Sequence, residues 1–305
     1  MERNFEICKD LSREVYNDNM PNVIDDWQII SPMEFHGSVK SSKRSKINVF
    51  KSANFACAAF KKGDEIIIAY RGTDDIIDII TDSHFIAKKI PPSTKKAKEF
   101  YIKVKEKFPN HQIYVTGHSL GGAYAQIVAA RAIRDGELCN AITFNAPGFG
   151  YVLTSQERKK YKSKLQKYIN NYVIMNDFIG NFREHAGSTY YMQPYPLDVP
   201  DPEKRKAKIS PHSAITSYSE QINGKIIPCP EGWNSKCAWA LWIYDKNPVS
   251  SAEKELQKLL DAKTNCNYLK KAIDIIEKLK TENKFVLLNT FNYRCRRKNF
   301  QLKVG

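Results

Sequence analysis

Gln112-Ile113-Tyr114-Val115-Thr116, then Gly117-His118-Ser119-Leu120-Gly121-Gly122, then Ala123 to Arg134: this continuous stretch decides the fold. Its first five residues make a short, mostly apolar run of strand length. The glycine-rich six make a tight turn, and the small-residue run after them has helical length. A strand feeding a helix through a sharp turn is the building step of a parallel sheet. Gly117 and Gly121 let the chain turn without side-chain clashes, so Ser119 projects above the sheet edge. The helix that follows aims its first amides at the same point, where they favour negative charge. A serine hydroxyl held in that way is a candidate nucleophile. A GxSxG pattern alone is weak evidence; the strand before it and the helix after it make it specific.

The pattern repeats on both sides. Apolar runs at 55–60 and 65–70 flank Lys61-Lys62-Gly63-Asp64, a hairpin turn. Ser93 stands where it can cap a helix reaching about Phe108, with Ala97, Phe100, Tyr101, Val104 and Phe108 on its apolar face. Downstream, Ala141-Ile142-Thr143-Phe144 reads as a strand ending at Asn145-Ala146-Pro147-Gly148, and Asn171 to Met175 as one ending at Asn176-Asp177. Strands alternating with helices predict an α/β fold with a mostly parallel sheet covered by helices on both faces. Residues 3–18 read as an amphipathic helix, with Phe5, Leu11, Val15 and Tyr16 as apolar positions. The polar, basic run Ser38 to Lys46 reads as a loop. Beyond about residue 245 the pattern changes: 250–262 and 267–281 read as helices, and Tyr293 to Lys298 is strongly basic. The expected organisation is a catalytic-type domain over 1–245 and a basic helical C-terminal extension over 246–305.

A chain of 305 residues with 42% hydrophobic content can bury a large core. No run approaches the roughly 18–20 apolar residues of a membrane-spanning helix. Residues 1–14 lack the apolar centre of a Sec-type signal, so the expected location is the cytoplasm or wherever a signal-independent export route leads. The seven cysteines are scattered, with no CxxC pair. They are expected to be free thiols, with no metal site and no cofactor. Lys and Arg outnumber Asp and Glu 48 to 33, a net charge of +15. Such a surface attracts anionic partners. No nucleic-acid-binding motif is present, so an anionic membrane is the expected partner, with plain solubility as the alternative explanation.

Three blocks give the chain a resemblance to the class 3 lipase family, the fungal-type triacylglycerol lipases and their bacterial relatives within the α/β-hydrolase superfamily. They are Gly117 to Ala123, Ile68-Ala69-Tyr70-Arg71-Gly72-Thr73, and Phe144-Asn145-Ala146-Pro147-Gly148. The resemblance spans roughly residues 55–218. It implies a serine ester hydrolase with no cofactor, acting on a lipid or phospholipid through an acyl-enzyme on Ser119. It also implies an oxyanion hole from Thr73 and the Leu120 amide. The triad should run Ser, Asp, His along the chain. Among Asp135, Asp177, Asp198 and Asp201, Asp177 ends an apolar strand, as the family's acid does. For the base, His212 opens a segment like the family's histidine leading into a helix, and His185 is the alternative. His118 precedes the acid and reads as a structural neighbour of the nucleophile. Residues 74–92 fall where the family carries its lid; their isoleucines either cover the site or pack beneath the loop. The rival readings are a catalytically silent binding protein on this fold and an esterase for soluble esters.

Overall fold

The computed structural model describes residues 4–17, 19–30, 50–52, 55–72, 90–175, 177, 179–192, 234 and 237. Helix α1 (Phe5–Glu14) leads into strands β1 (Val23–Ile24), β2 (Trp27–Ile30), β3 (Phe50–Ser52), β4 (Phe55–Lys62) and β5 (Glu65–Tyr70). Then follow α2 (Thr94–Lys107), β6 (Gln112–His118), α3 (Leu120–Arg134) and β7 (Asn140–Phe144). A single 3-10 turn at Gly150–Val152, the short helices α4 (Ser155–Lys160) and α5 (Lys162–Tyr168), and strands β8 (Ile169–Ile174) and β9 (Ser188–Met192) complete the described elements.

The nine described strands join one sheet in the order β1-β2-β4-β5-β6-β7-β8-β9, with β3 paired to β4. The N-terminal pairs are antiparallel, and β4 turns into β5 through Gly63-Asp64 with Lys62 opposite Glu65. From β5 to β9 every pair is parallel. Their C-terminal ends therefore share one rim, the edge where open α/β sheets place their sites.

Period-two alternation divides the central strands between two cores. Ile66, Ile68 and Tyr70 of β5 and Val115 of β6 face α2 and α3, meeting Ala97, Phe100 and Val104 of the one and Tyr124, Val128 and Ala129 of the other. Ile67 and Ala69 of β5, Ile142 and Phe144 of β7 and Tyr172 of β8 face the opposite way, onto Phe5, Cys8 and Leu11 of α1 and Val15 just after it. Phe5 stands edge-on to Phe144 and Tyr172, at centroid separations of 5.4 and 4.5 Å. α1 is further tied to the sheet by buried hydroxyls: Ser12 Oγ lies 2.9 Å from Thr116 Oγ1, and Thr116 Oγ1 donates to the Ile142 carbonyl at 2.7 Å.

Helices on both faces match the sequence expectation, with shifted bounds. α1 stops at Glu14, and Val15 and Tyr16 form a turn. α3 begins at Leu120 rather than Ala123. Ser93 occupies the cap position of α2 but makes no side-chain cap bond. Cys8, Cys57, Cys139 and Cys237 are buried, and burial pushes the Cys139 thiol up to about 12. Among the described residues no helix is long and apolar enough to cross a membrane. The loop expected at 38–46, nearly all of residues 74–92, where a lid is one expectation, and the extension expected over 246–305 lie outside the described residues.

Candidate active site

Ser119 sits between the end of β6 and the start of α3 with φ +58 and ψ −131. Positive φ in a residue with a Cβ is rare and costs free energy, so the surrounding backbone must enforce it. Three glycines do so. A Cβ on Gly117 would lie 2.4 Å from the Gly121 carbonyl carbon, and one on Gly122 would lie 2.6 Å from the Ala146 Cβ. A Cβ on Gly121 would lie 2.0 Å from the Tyr70 carbonyl oxygen. Only hydrogen fits at these positions, so α3 starts directly against the ends of β5 and β6. The Ser119 amide donates to the Phe144 carbonyl at 3.1 Å, fastening the turn to β7. Ser119 is 1% exposed. Its Oγ makes no hydrogen bond among the described residues.

The exit of β5 packs against this turn. A Cβ on Gly72 would lie 2.9 Å from the His118 carbonyl oxygen and 3.3 Å from the Gly121 amide nitrogen. The Gly72 amide donates to the Tyr16 hydroxyl at 3.0 Å. The Tyr16 ring also meets the Arg71 guanidinium at 5.3 Å and the His118 ring edge-on at 6.3 Å. Tyr16 therefore links the chain after α1 to the strand exit that leads into Thr73. In the sequence it reads only as an apolar helix position, and nothing in its spacing marks this contact. Leu120, the first residue of α3, is partly buried between two apolar clusters.

Asp177 follows β8 on the same rim, two strands from the serine. The connection across β7 runs through Asn145, whose φ is +44. Its amide donates to the Tyr172 carbonyl at 2.8 Å, and its Oδ1 accepts from the Ile174 amide at 2.7 Å. Since Phe144 holds Ser119 and Asn145 holds the end of β8, one dipeptide sets both ends of the site. The Asp177 carboxylate is 3% exposed, and its Oδ2 accepts from the Gly180 amide at 2.6 Å. Asn181 Nδ2 donates to the backbone carbonyls of Ile174 (3.1 Å), Met175 (3.3 Å) and Asp177 (2.7 Å). Asn145 stands directly after an apolar strand, the sequence signal for an asparagine at positive φ; Asn181 carries no such signal, because it lies seven residues beyond the end of β8.

His185 is buried, and its Nε2 lies 2.8 Å from the Gly180 carbonyl oxygen. A carbonyl only accepts, so Nε2 carries the proton. Burial lowers the ring's pKa to about 4, so it is neutral at neutral pH. Its Nδ1 is buried with no hydrogen-bond partner among the described residues. Burial disfavours the cation that accepting a proton from Ser119 would create, so the ring is a weak base. Asp135 is far from the rim, ion-paired at the helix end with Arg134 (2.8 Å) and Lys98 (4.0 Å). Thus Ser119, Leu120 and Asp177 meet the expected rim, while Thr73, His212, Asp198 and Asp201 lie outside the described residues.

Residues 9–190 match the family model described as Phospholipase-like: Tle-like phospholipase domain. No curated protein matches the chain. Among solved structures it is similar to Lip2 lipase from Yarrowia lipolytica, at 14% identity and TM-score 0.45, over 63% of this chain and 79% of that one. It is also similar to a triacylglycerol lipase from Penicillium expansum, at 14% identity and TM-score 0.44, over 77% and 85% of the two chains. Lipase II from Rhizopus niveus follows at 18% identity and TM-score 0.40, over 60% and 76%. At these identities and scores the structural likenesses carry no argument; the family match covers more than half of the chain and does.

Proposed function

The chain belongs to the Tle-like phospholipase family, serine lipid-ester hydrolases of the α/β-hydrolase superfamily, and from that premise we propose that it deacylates glycerophospholipids with Ser119 as nucleophile, His212 as base and Asp177 as the orienting acid. The observation that carries the reading is the elbow: a serine at φ +58 between a parallel strand and a helix, where only glycines fit beside it. His212 takes the Ser119 proton as Oγ attacks the ester carbonyl, and Asp177 stabilises the imidazolium that forms. The amides of Thr73 and Leu120 receive the oxyanion. Collapse of the tetrahedral intermediate breaks the ester C–O bond. The lysophospholipid leaves with the proton from His212, and water then hydrolyses the acyl-enzyme to a fatty acid. His212 takes the base role because His185 is buried, where its cation is disfavoured.

The phospholipid preference is supported by the family match and by the net charge of +15, which favours approach to an anionic lipid surface. Each basic side chain near such a surface contributes about 1 kcal/mol. In α4, Arg158 is drawn inward to the Gly150 and Leu153 carbonyls, both at 3.0 Å, leaving Lys159 and Lys160 exposed. The test is mass-spectrometric profiling of products from vesicles mixing phosphatidylethanolamine, phosphatidylglycerol and triacylglycerol. Lysophospholipid and free fatty acid from wild type, and neither from Ser119→Ala, is the expected result. Diacylglycerol and fatty acid without lysophospholipid would overturn the phospholipid reading. Release of a phosphorylated head group would overturn ester cleavage itself.

A further inference from the structure

We infer that His185 is a positioning residue for the Asp177 carboxylate, acting through Gly180; this rests on the reading of Asp177 as the triad acid. Gly180 is the hinge of the arrangement. Its amide donates to Asp177 Oδ2 at 2.6 Å, and its carbonyl accepts from His185 Nε2 at 2.8 Å. The space around Gly180 admits no side chain: a Cβ there would lie 2.8 Å from Asp177 Oδ2, 2.9 Å from Val173 Cγ1 and 3.2 Å from the Asn145 Cα. One residue thus receives the histidine on its carbonyl and holds the carboxylate with its amide.

The histidine can act as a fixed post because the backbone on both sides of it is pinned. The Glu184 carbonyl accepts from the Gly150 amide at 2.8 Å, and the Ala186 amide donates to Gln126 Oε1 at 3.3 Å. Gln126 is itself held on α3, where its Nε2 donates to the Pro147 carbonyl at 3.0 Å. The Ala186 carbonyl accepts from Asn171 Nδ2 at 2.7 Å. Three elements that frame the site (α3, the loop after β7, and β8) therefore converge on the backbone flanking His185. Its ring passes that rigidity to Gly180, whose amide direction decides where the Asp177 carboxylate points. A carboxylate aimed wrongly leaves the triad imidazole without its orienting and stabilising partner.

The experiment uses the full chain and a soluble p-nitrophenyl ester, with His185→Phe, His185→Gln, Asp177→Asn and the His185→Phe/Asp177→Asn double variant. His185→Phe keeps ring volume and removes the donor. His185→Gln replaces the Nε2–H with an amide N–H. The expected result is a kcat roughly ten- to a hundredfold lower in His185→Phe, with KM within about twofold, and recovery of most of that loss in His185→Gln. The acid limb of kcat/KM moves to lower pH in His185→Phe, because the imidazolium has lost its stabiliser. In the Asp177→Asn background the phenylalanine lowers kcat little further, since both changes disable one unit. An equal further loss there, or a His185→Phe enzyme at the wild-type kcat, overturns the positioning role. A wild-type kcat in Asp177→Asn alone instead overturns the acid assignment, which separates the two failures. Should His185→Phe not fold, Gly180→Ala perturbs the same carboxylate from the other side. It is expected to show the same fall in kcat and the same non-additivity, and a wild-type kcat in Gly180→Ala overturns the relay.

Discussion

Replacing Gly121 with alanine should disable the site more than it harms the rest of the fold. The new Cβ would lie 2.0 Å from the Tyr70 carbonyl oxygen, 2.8 Å from the Tyr70 carbonyl carbon and 2.9 Å from that of Arg71. All three atoms are backbone, so no side chain can swing away. Contacts below 3.0 Å are essentially not seen for real Cβ atoms, so α3 and the end of β5 must separate by about 1 Å or more. Overpacking of this kind costs about 1–3 kcal/mol of stability. A displacement near 1 Å between the elbow and the strand exit leading to Thr73 should also cost about a hundredfold in turnover. Gly136→Ala is the control: its φ is +92, unlike that of the helical Gly121, and nothing lies within 4 Å of its Cβ position. It should lose roughly 1–2 kcal/mol from the left-handed backbone and keep full activity per folded molecule. Urea unfolding and ester turnover on both variants make the comparison. A Gly121→Ala enzyme with kcat within twofold of wild type would refute the close approach on which the elbow argument depends.

Tyr16→Phe removes the acceptor of the Gly72 amide while keeping the ring contacts with Arg71 and His118. An amide left unpaired costs about 1–3 kcal/mol, so kcat should fall about tenfold or more with KM nearly unchanged; an unaltered kcat would make the bond purely structural. Asn145→Ala strands the Ile174 amide and puts alanine at φ +44. A loss of about 2–4 kcal/mol in urea unfolding is expected, and Asn145→Gly should recover the part due to φ. The third expectation concerns pH. Burial lowers His185 to about 4 in the folded protein, against an ordinary 6.5. The stability contributed by keeping it neutral is complete above 6.5 and is lost as pH falls toward 4, to the extent of about 3 kcal/mol. His185→Gln should flatten that part of the pH–stability curve, and an unchanged slope would show that other groups produce it.

The elbow was legible because its constraints are local: strand, glycines, serine and helix follow one another within a single run. The hairpin at Gly63-Asp64 was legible for the same reason. Elements held mainly by neighbours were not. β9 is a peripheral strand with mixed burial, and α4 buries none of its residues and α5 only Leu165, so neither helix carries an apolar stripe. α3 starts earlier than its composition suggests because Gly121 and Gly122 are poor helix formers that tertiary packing requires. The rim position of Asp177 could be read from its place after an apolar strand. The Tyr16–Gly72 and His185–Gly180 contacts could not, because they pair residues whose proximity only the folded chain reveals.

The nucleophile is tested most directly by peptide mapping after treatment of the folded, full-length chain with a serine-directed fluorophosphonate. Stoichiometric adduct on the peptide carrying Ser119, matched by loss of ester turnover, and no adduct in Ser119→Ala, is the expected result. An adduct on another serine that tracks the loss of activity, or turnover persisting in Ser119→Ala, would contradict it.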